Sequence, residues 1–224
     1  MANVVYETQG DIATITMNDG KANAINSEMI EEINAGLDRA ERDMKALIIT
    51  GRSGIFCGGF DLRVIQSGDI KQRREQFLAG AKLAMRLYGF PRPVIAAVTG
   101  SSVALGGFLL LTADYRIGIS GEFEIGLNEV AIGMSLPPFA LMLAESRINA
   151  RHLTNATLSA TLYSPEEAIA VGFLDEVTEP NDLLRRSKKK AETLAKLDAD
   201  AFSQVKLDIR GAGIQRILEE LSDA

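Results

Sequence analysis

The stretch "PVIAAVTGSSVALGGFLLLTADYRIGIS", Pro93 to Ser120, decides how this chain must fold. It opens with a short apolar run rich in β-branched residues, the mark of a buried strand. An irregular turn follows, containing Gly106 and Gly107, then the apolar run "FLLLTA" and a second strand, "YRIGIS". Strand, helix, strand is the repeating order of an α/β fold. The same design occurs upstream in "ALIITGRSGIFCGGFDL" (Ala46 to Leu62), where a buried strand runs into a turn at Cys57 to Asp61. Outside these segments, "VVYET" and "IATITM" alternate apolar and polar residues around Gly10-Asp11, which predicts a β-hairpin. "NSEMIEEINAGLDRAERDM" carries Ile30, Ile33, Leu37, Ala40 and Met44 at helical spacing, with Asn26 or Ser27 as the cap. A further helix is expected over Ile70 to Tyr88. The last third reads as helical, in "PEEAIAVG", "NDLLRRSKKKAETLAKL" and "DADAFSQVKLDIR".

The 224 residues suffice for one large domain, and 46% hydrophobic with 24% charged residues suit a globular core. A net charge of −6 argues against nucleic acid as a default partner. The run "RRSKKK" (Arg185 to Lys190) opposes that balance, but flanking acids make it read as a solvated helix face. With one cysteine, Cys57, and one histidine, His152, neither an intrachain disulfide nor a zinc cluster is expected. No apolar run reaches membrane-spanning length, and the start lacks the basic and apolar regions of a signal peptide, so a cytoplasmic location is expected. Nucleotide fingerprints of the G-x-G-x-x-G or Walker type are absent.

Both turns can expose backbone N–H groups, through glycine conformations and a following helix N-terminus. Two such turns facing each other would form an oxyanion hole. Downstream, "IGLNEVAIGM" (Ile125 to Met134) sets a single carboxylate, Glu129, in an otherwise almost wholly apolar run. A charge there is costly unless it is paired or used, and apolar surroundings would make it more basic.

Five segments in this order resemble the crotonase (enoyl-CoA hydratase/isomerase) superfamily: "GKANAINSEM", "FCGGFDL", "VIAAVTGSSVALGGFLLLTADYRIG", "EIGLNEVAIGMSLPPFALMLA" and "SPEEAIAVGFLDEV". The resemblance covers about residues 1 to 200. It implies an α/β spiral of β-β-α units over residues 1–196. A helical C-terminal region, residues 197–224, would be used in trimerisation, giving a homotrimer or a dimer of trimers. The chain stops at "IQRILEELSDA", earlier than many relatives. The family's oxyanion donors map onto the N–H groups of Phe60 and Leu105, where leucine replaces a glycine and its side chain is expected to shape the acyl cleft. Coenzyme A would lie along Lys21, Ala22, Ala24, Asp61, Leu62 and Arg63, with Gly106 lining the substrate site. CoA is part of the substrate; no separate cofactor and no metal are implied.

Hydratases of the family use two glutamates. One corresponds to Glu129; the other position holds Phe108 here. A single base suffices to move a double bond from Δ3 to Δ2, taking a proton at C2 and returning it at C4. The resemblance therefore favours a Δ3,Δ2-enoyl-CoA isomerase of fatty-acid β-oxidation. Two alternatives stand beside it: a hydratase drawing a second acid from Glu122, Glu124 or Asp61, and a non-catalytic acyl-CoA- or RNA-binding member.

Overall fold

The structure, a computed structural model, describes residues 3–66 and 69–223. Two sheets carry the fold. The first has six strands: β1 (Val4–Gln9), β2 (Ile12–Met17), β3 (Ala46–Thr50), β5 (Val94–Val98), β7 (Tyr115–Ile119) and β10 (Glu176–Thr178), in that spatial order. The second is smaller: β4 (Gly54–Cys57), β6 (Gly100–Val103), β8 (Ile125–Gly126) and β9 (Leu162–Tyr163). Around them wrap α1 (Ser27–Asp43), α2 (Leu62–Gln66), α3 (Ile70–Tyr88), α4 (Leu105–Thr112), α5 (Pro138–Arg147), α6 (Leu153–Thr157), α7 (Pro165–Val171), α8 (Leu183–Leu194) and α9 (Ala199–Asp223).

Each pass of the chain places one strand in the large sheet and the next in the small one. Thus β3 runs into β4 and β5 into β6, and both pairs of neighbours are parallel. The alternation gives a mixed α/β spiral of β-β-α units. The N-terminal hairpin pairs antiparallel from Val4↔Met17 to Gln9↔Ile12, with Gly10 turning at φ +59°. Asn26 caps α1 by accepting from the Met29 N–H, and α3 spans the residues over which a helix is expected.

The last third is less purely helical than its sequence suggests. β9 pairs antiparallel with β8, and β10 extends the large sheet beside β7. Strands of two and three residues are too short to show alternation. What places β10 is an ion pair: Arg116 binds the Asp175 carboxylate through Nε and Nη2, both at 2.8 Å, while its backbone N–H donates to the same group.

The front of the large sheet and the small sheet enclose the main core, which includes Ile15, Leu47, Phe56, Leu110, Phe139 and Phe173. On the back face, Ile48, Ile95 and Ile117 pack against Leu183 and Ala191 of α8. The outer side of α8 carries the basic run, whose cations are taken up locally. Arg185 pairs with Asp182, Arg186 with Glu176 and Lys188 with Glu192, while Lys190 sits over the Tyr115 ring. Among the described residues no helix is long and apolar enough to cross a membrane.

Helix α9 folds back onto its own chain. Lys206, 5% exposed, donates to the Phe90 and Arg92 carbonyls and, at 2.6 Å, to Asp114. Arg210 reaches the other oxygen of Asp114 at 3.0 Å, and Ile217 enters the main core. One carboxylate thus holds two buried cations. Asp114→Ala should cost about 3–5 kcal/mol of stability in urea titrations, since both cations stay buried without an acid. Lys206→Met, which leaves Arg210 on Asp114, should cost clearly less.

Candidate active site

The "GKANAIN" loop is built around its own polar residues. The Asp19 carboxylate accepts from the N–H groups of Lys21, Asn23 and Ala24 at 2.7–3.0 Å. Asn23 sits at φ +50°, fully buried, and its side-chain amide donates to the Met17 and Phe56 carbonyls. Left-handed backbone is tolerated best by residues such as asparagine that can bond locally. Neither Asp19 nor Asn23 is marked by its sequence context as holding this loop, although Asn23 lies inside the "GKANAINSEM" segment.

That loop is clipped to the turn after β4. Gly58 N–H donates to Ala22 O at 2.9 Å, Ile25 N–H to Gly59 O at 2.8 Å, and Asp61 N–H to Ile25 O at 3.3 Å. The residues expected to meet CoA therefore converge: Lys21, Ala22 and Ala24 from one side, Asp61 and Arg63 from the other. Leu62 opens α2, and its side chain lies outside the described residues. Asp61 is buried and bound by Arg63 through both oxygens at 2.6–3.2 Å, and this pairing holds its carboxyl below the usual range. The Arg63 side chain is itself 81% exposed and, with exposed Lys21, offers positive charge beside the loop.

The second turn meets the first. A Cβ on Gly59 would stand 3.0 Å from the Ala104 methyl and 3.6 Å from the Leu105 nitrogen. Ala104 is forced to φ +52°, ψ −126°, and α4 begins at the next residue. The N–H groups of Phe60 and Leu105 have no acceptor among the described residues, the first because the bridge to Ile25 uses its neighbours, the second because it opens a helix. Both side chains turn away from this point. A Cβ on Gly80 of α3 would fall 2.5 Å from the Phe60 ring and 3.4 Å from Leu105 Cδ2. At 1% exposure, Leu105 is a core residue, so its side chain packs toward α3 and fills interior space.

Gly106 and Gly107 bring in the third segment. A Cβ on Gly106 would lie 2.2 Å from the Cys57 carbonyl oxygen; one on Gly107 would lie 2.7 Å from Gly126 O and 2.9 Å from Leu127 Cδ2. The segment pressed against Gly107 leads, two residues beyond Leu127, to Glu129. This side chain is 7% exposed, its Oε2 has no hydrogen-bond partner among the described residues, and burial pushes its pKa up to about 7. Its carbonyl accepts from Ile132 and Met134 N–H, which fixes the short 3₁₀ turn it caps.

The other acids do not join it. Glu122 and Glu124 are exposed, and Asp61 is kept ionised by Arg63. Phe108 is 2% exposed and packs edge-on against Phe139, ring centroids 5.9 Å apart. Cys57 is buried, with its thiol pushed up to about 12 by desolvation, which makes it inert. No group of three potential metal ligands exists among the described residues.

The spiral of paired strands and the meeting of its two turns define a crotonase-fold protein. Its backbone superimposes with a TM-score of 0.95 on a crystal structure of an enoyl-CoA hydratase/isomerase family protein from Pseudomonas syringae, 38% identical, covering 99% of this chain and 96% of that one. The chain belongs to the enoyl-CoA hydratase/isomerase family, whose profile matches residues 7–220. Among curated relatives, mitochondrial enoyl-CoA delta isomerase 1 of Rattus norvegicus is 32% identical over 185 residues, which is 80% of this chain and 64% of that protein. The short-chain-enoyl-CoA hydratase of Clostridium acetobutylicum is 30% identical over 86% of this chain and 75% of its own.

Ionising a carboxylate whose folded pKa lies above its unfolded value costs stability. The loss begins above the unfolded pKa of 4.5 and is complete above about 7. Glu129→Gln should therefore stabilise the protein at pH 8 by up to about 3 kcal/mol, and by little at pH 4.5, in urea titrations at both pH values.

Proposed function

We propose that the protein is a Δ3,Δ2-enoyl-CoA isomerase with Glu129 as its only acid–base group. The observation that carries this reading is the solitude of that carboxylate among the described residues: it is buried, has no ion-pair partner, leaves Oε2 without a donor and is raised to about 7, and an aromatic core residue stands at Phe108. Syn hydration needs one group to activate water and another to protonate the α carbon. A double-bond shift needs one group that acts twice.

In this reading the thioester oxygen of a 3-enoyl-CoA accepts from the Phe60 and Leu105 N–H groups. Glu129 takes a proton from C2, the C2–H electron pair moves into conjugation, and the charge of the dienolate comes to rest on the thioester oxygen. The C3–C4 double bond shifts to C2–C3 when Glu129 returns the proton at C4. Electrons and protons balance without any redox partner. CoA runs along Lys21, Ala22, Ala24, Asp61, Leu62 and Arg63, where the exposed cations suit its phosphates. Gly106 keeps the Leu105 end of α4 close to β4.

The deciding experiment is a paired assay of trans-3-enoyl-CoA and trans-2-enoyl-CoA. Isomerisation should exceed hydration at every chain length; predominant hydration would reverse the assignment. Glu129→Gln should lower isomerase kcat by about a hundredfold or more, the usual cost of a missing general base. Because the base works ionised, wild-type activity should fall as pH drops through about 7.

Leu105→Pro deletes one oxyanion donor and should cost about 10²–10³ in kcat. Proline fits the first turn of a helix, so helix content should persist although the buried Leu105 side chain is lost and stability falls. A folded variant with most of its activity would place the second donor elsewhere.

A further inference from the structure

Phe60, whose N–H has no acceptor among the described residues, lies between two residues that are both bonded to Ile25. Ile25 N–H donates to Gly59 O at 2.8 Å, and Ile25 O accepts from Asp61 N–H at a long 3.3 Å. Where Ile25 stands therefore decides where the Phe60 amide stands. A second donor reaches the same carbonyl from α3: Gln76 Nε2 lies 2.7 Å from Ile25 O. Gln76 is 2% exposed, so its side chain is committed to the interior.

A buried amide contributes little net stability, because its bond replaces bonds to water. What it supplies is direction, and here the direction is toward the turn. One helical turn further on, Gly80 lies against the Phe60 ring, where a Cβ would meet Phe60 Cε1 at 2.5 Å. Residues four apart share a helix face. Phe77, next to Gln76, adds a ring contact, its centroid 5.7 Å from that of Phe60. Helix α3 thus holds Phe60 twice, by its backbone through Gln76 and Ile25, and by its ring through Phe77 and Gly80. A carbonyl oxygen has two lone pairs, and Ile25 O offers one to Asp61 and one to Gln76. Without Gln76 that oxygen would keep only the longer of its two bonds.

We propose that Gln76 is a positioning residue for the reaction: by holding Ile25 O it sets where the Phe60 N–H points. This role rests on the oxyanion reading of Phe60 and adds to it a residue from a helix that carries neither donor nor base. Gln76 touches no substrate. Its effect falls on the developing charge, because a donor slightly out of place still meets a neutral carbonyl but loses much of its hold on an oxyanion.

Two thioesters of equal chain length separate these cases. Butanoyl-CoA presents a neutral thioester oxygen. Acetoacetyl-CoA has an acidic C2 and can bind as its enolate, which places negative charge on that oxygen and absorbs in the near ultraviolet. Titration calorimetry with both esters, following the enolate band in parallel, should show tighter binding of acetoacetyl-CoA by the wild type. Gln76→Met keeps the volume and deletes the donor. It should lower the preference for acetoacetyl-CoA about tenfold, a part of the 10²–10³ or so that a whole oxyanion donor contributes. Affinity for butanoyl-CoA should stay within about threefold, since that ester carries no charge for the donor to stabilise. Gln76→Asn, whose shorter side chain falls short of Ile25 O, should show the same loss and serves if the methionine variant fails to fold. A packing role alone would lower the melting temperature and weaken both esters alike, so a folded Gln76 variant with wild-type preference overturns the proposal. Leu105→Pro, which deletes the second donor, separates the two readings. If it lowers the preference while the Gln76 variants do not, the oxyanion hole stands and the role of Gln76 falls. If the wild type shows no preference at all, both fall.

Discussion

Two close backbone approaches at the start of α4 organise the rest of the site. Gly106 lies against the Cys57 carbonyl and Gly107 against Gly126 O, at separations where any Cβ would overlap oxygen. The first contact seats α4 on the end of β4, next to the turn that bears Phe60. The second draws β8 onto the same helix, and Glu129 follows three residues after Gly126. The left-handed Ala104 lies just before this junction, a conformation costing about 1–3 kcal/mol that persists only where surrounding packing enforces it. Without these contacts the two turns would not be held against each other.

Electrostatics then divides two carboxylates of nearly equal burial. Asp61 and Glu129 are 6% and 7% exposed, yet their surroundings move them in opposite directions. Arg63 grips Asp61 and keeps it charged, whereas Glu129 has neither a cation nor a donor on Oε2, and desolvation makes it basic. Environments that push two acids apart assign their work. The ionised one organises a loop and its arginine; the raised one is suited to exchange protons near neutral pH. Stability and chemistry are opposed at Glu129, because the ionisation that makes it a base also weakens the fold.

Much of this was legible in the sequence, for identifiable reasons. Ile30, Ile33 and Leu37 repeat at helical spacing, and the runs Ala46–Thr50 and Val94–Val98 are apolar throughout, so α1, β3 and β5 announce themselves. Glu129 stands out as a charge in an apolar run. The strands β8, β9 and β10 did not stand out, because two or three residues carry no period, and what places β10 is a partner 59 positions away, in the pairing of Arg116 with Asp175. Leu105 shows a different limit. The sequence places it beside the second turn, whereas the direction of its side chain is set by helix geometry, and this one lies toward Gly80. Phe77, Phe139 and Leu221 lie on three separate helices, and nothing in their local sequence says they meet.

That meeting depends on how α9 is held. Its polar anchors, Lys206 and Arg210 on Asp114, lie near one end, and its apolar residues packed on the main core, Ile217 and Leu221, lie near the other. At 1.5 Å per residue, Lys206 and Leu221 are about 22 Å apart along the helix. A continuous helix transmits position along its length, so an ion cluster near one end of α9 sets where Ile217 and Leu221 stand near the other. The anchor must therefore be polar and directional: apolar packing alone tolerates sliding along a helix ridge, whereas one aspartate bonded to two cations and a backbone N–H at Val94 fixes the register. On this account the buried charges of α9 act chiefly as a positional device. Their net contribution to stability is small beside the cost of breaking them, as expected of a buried ion cluster whose desolvation offsets most of its attraction.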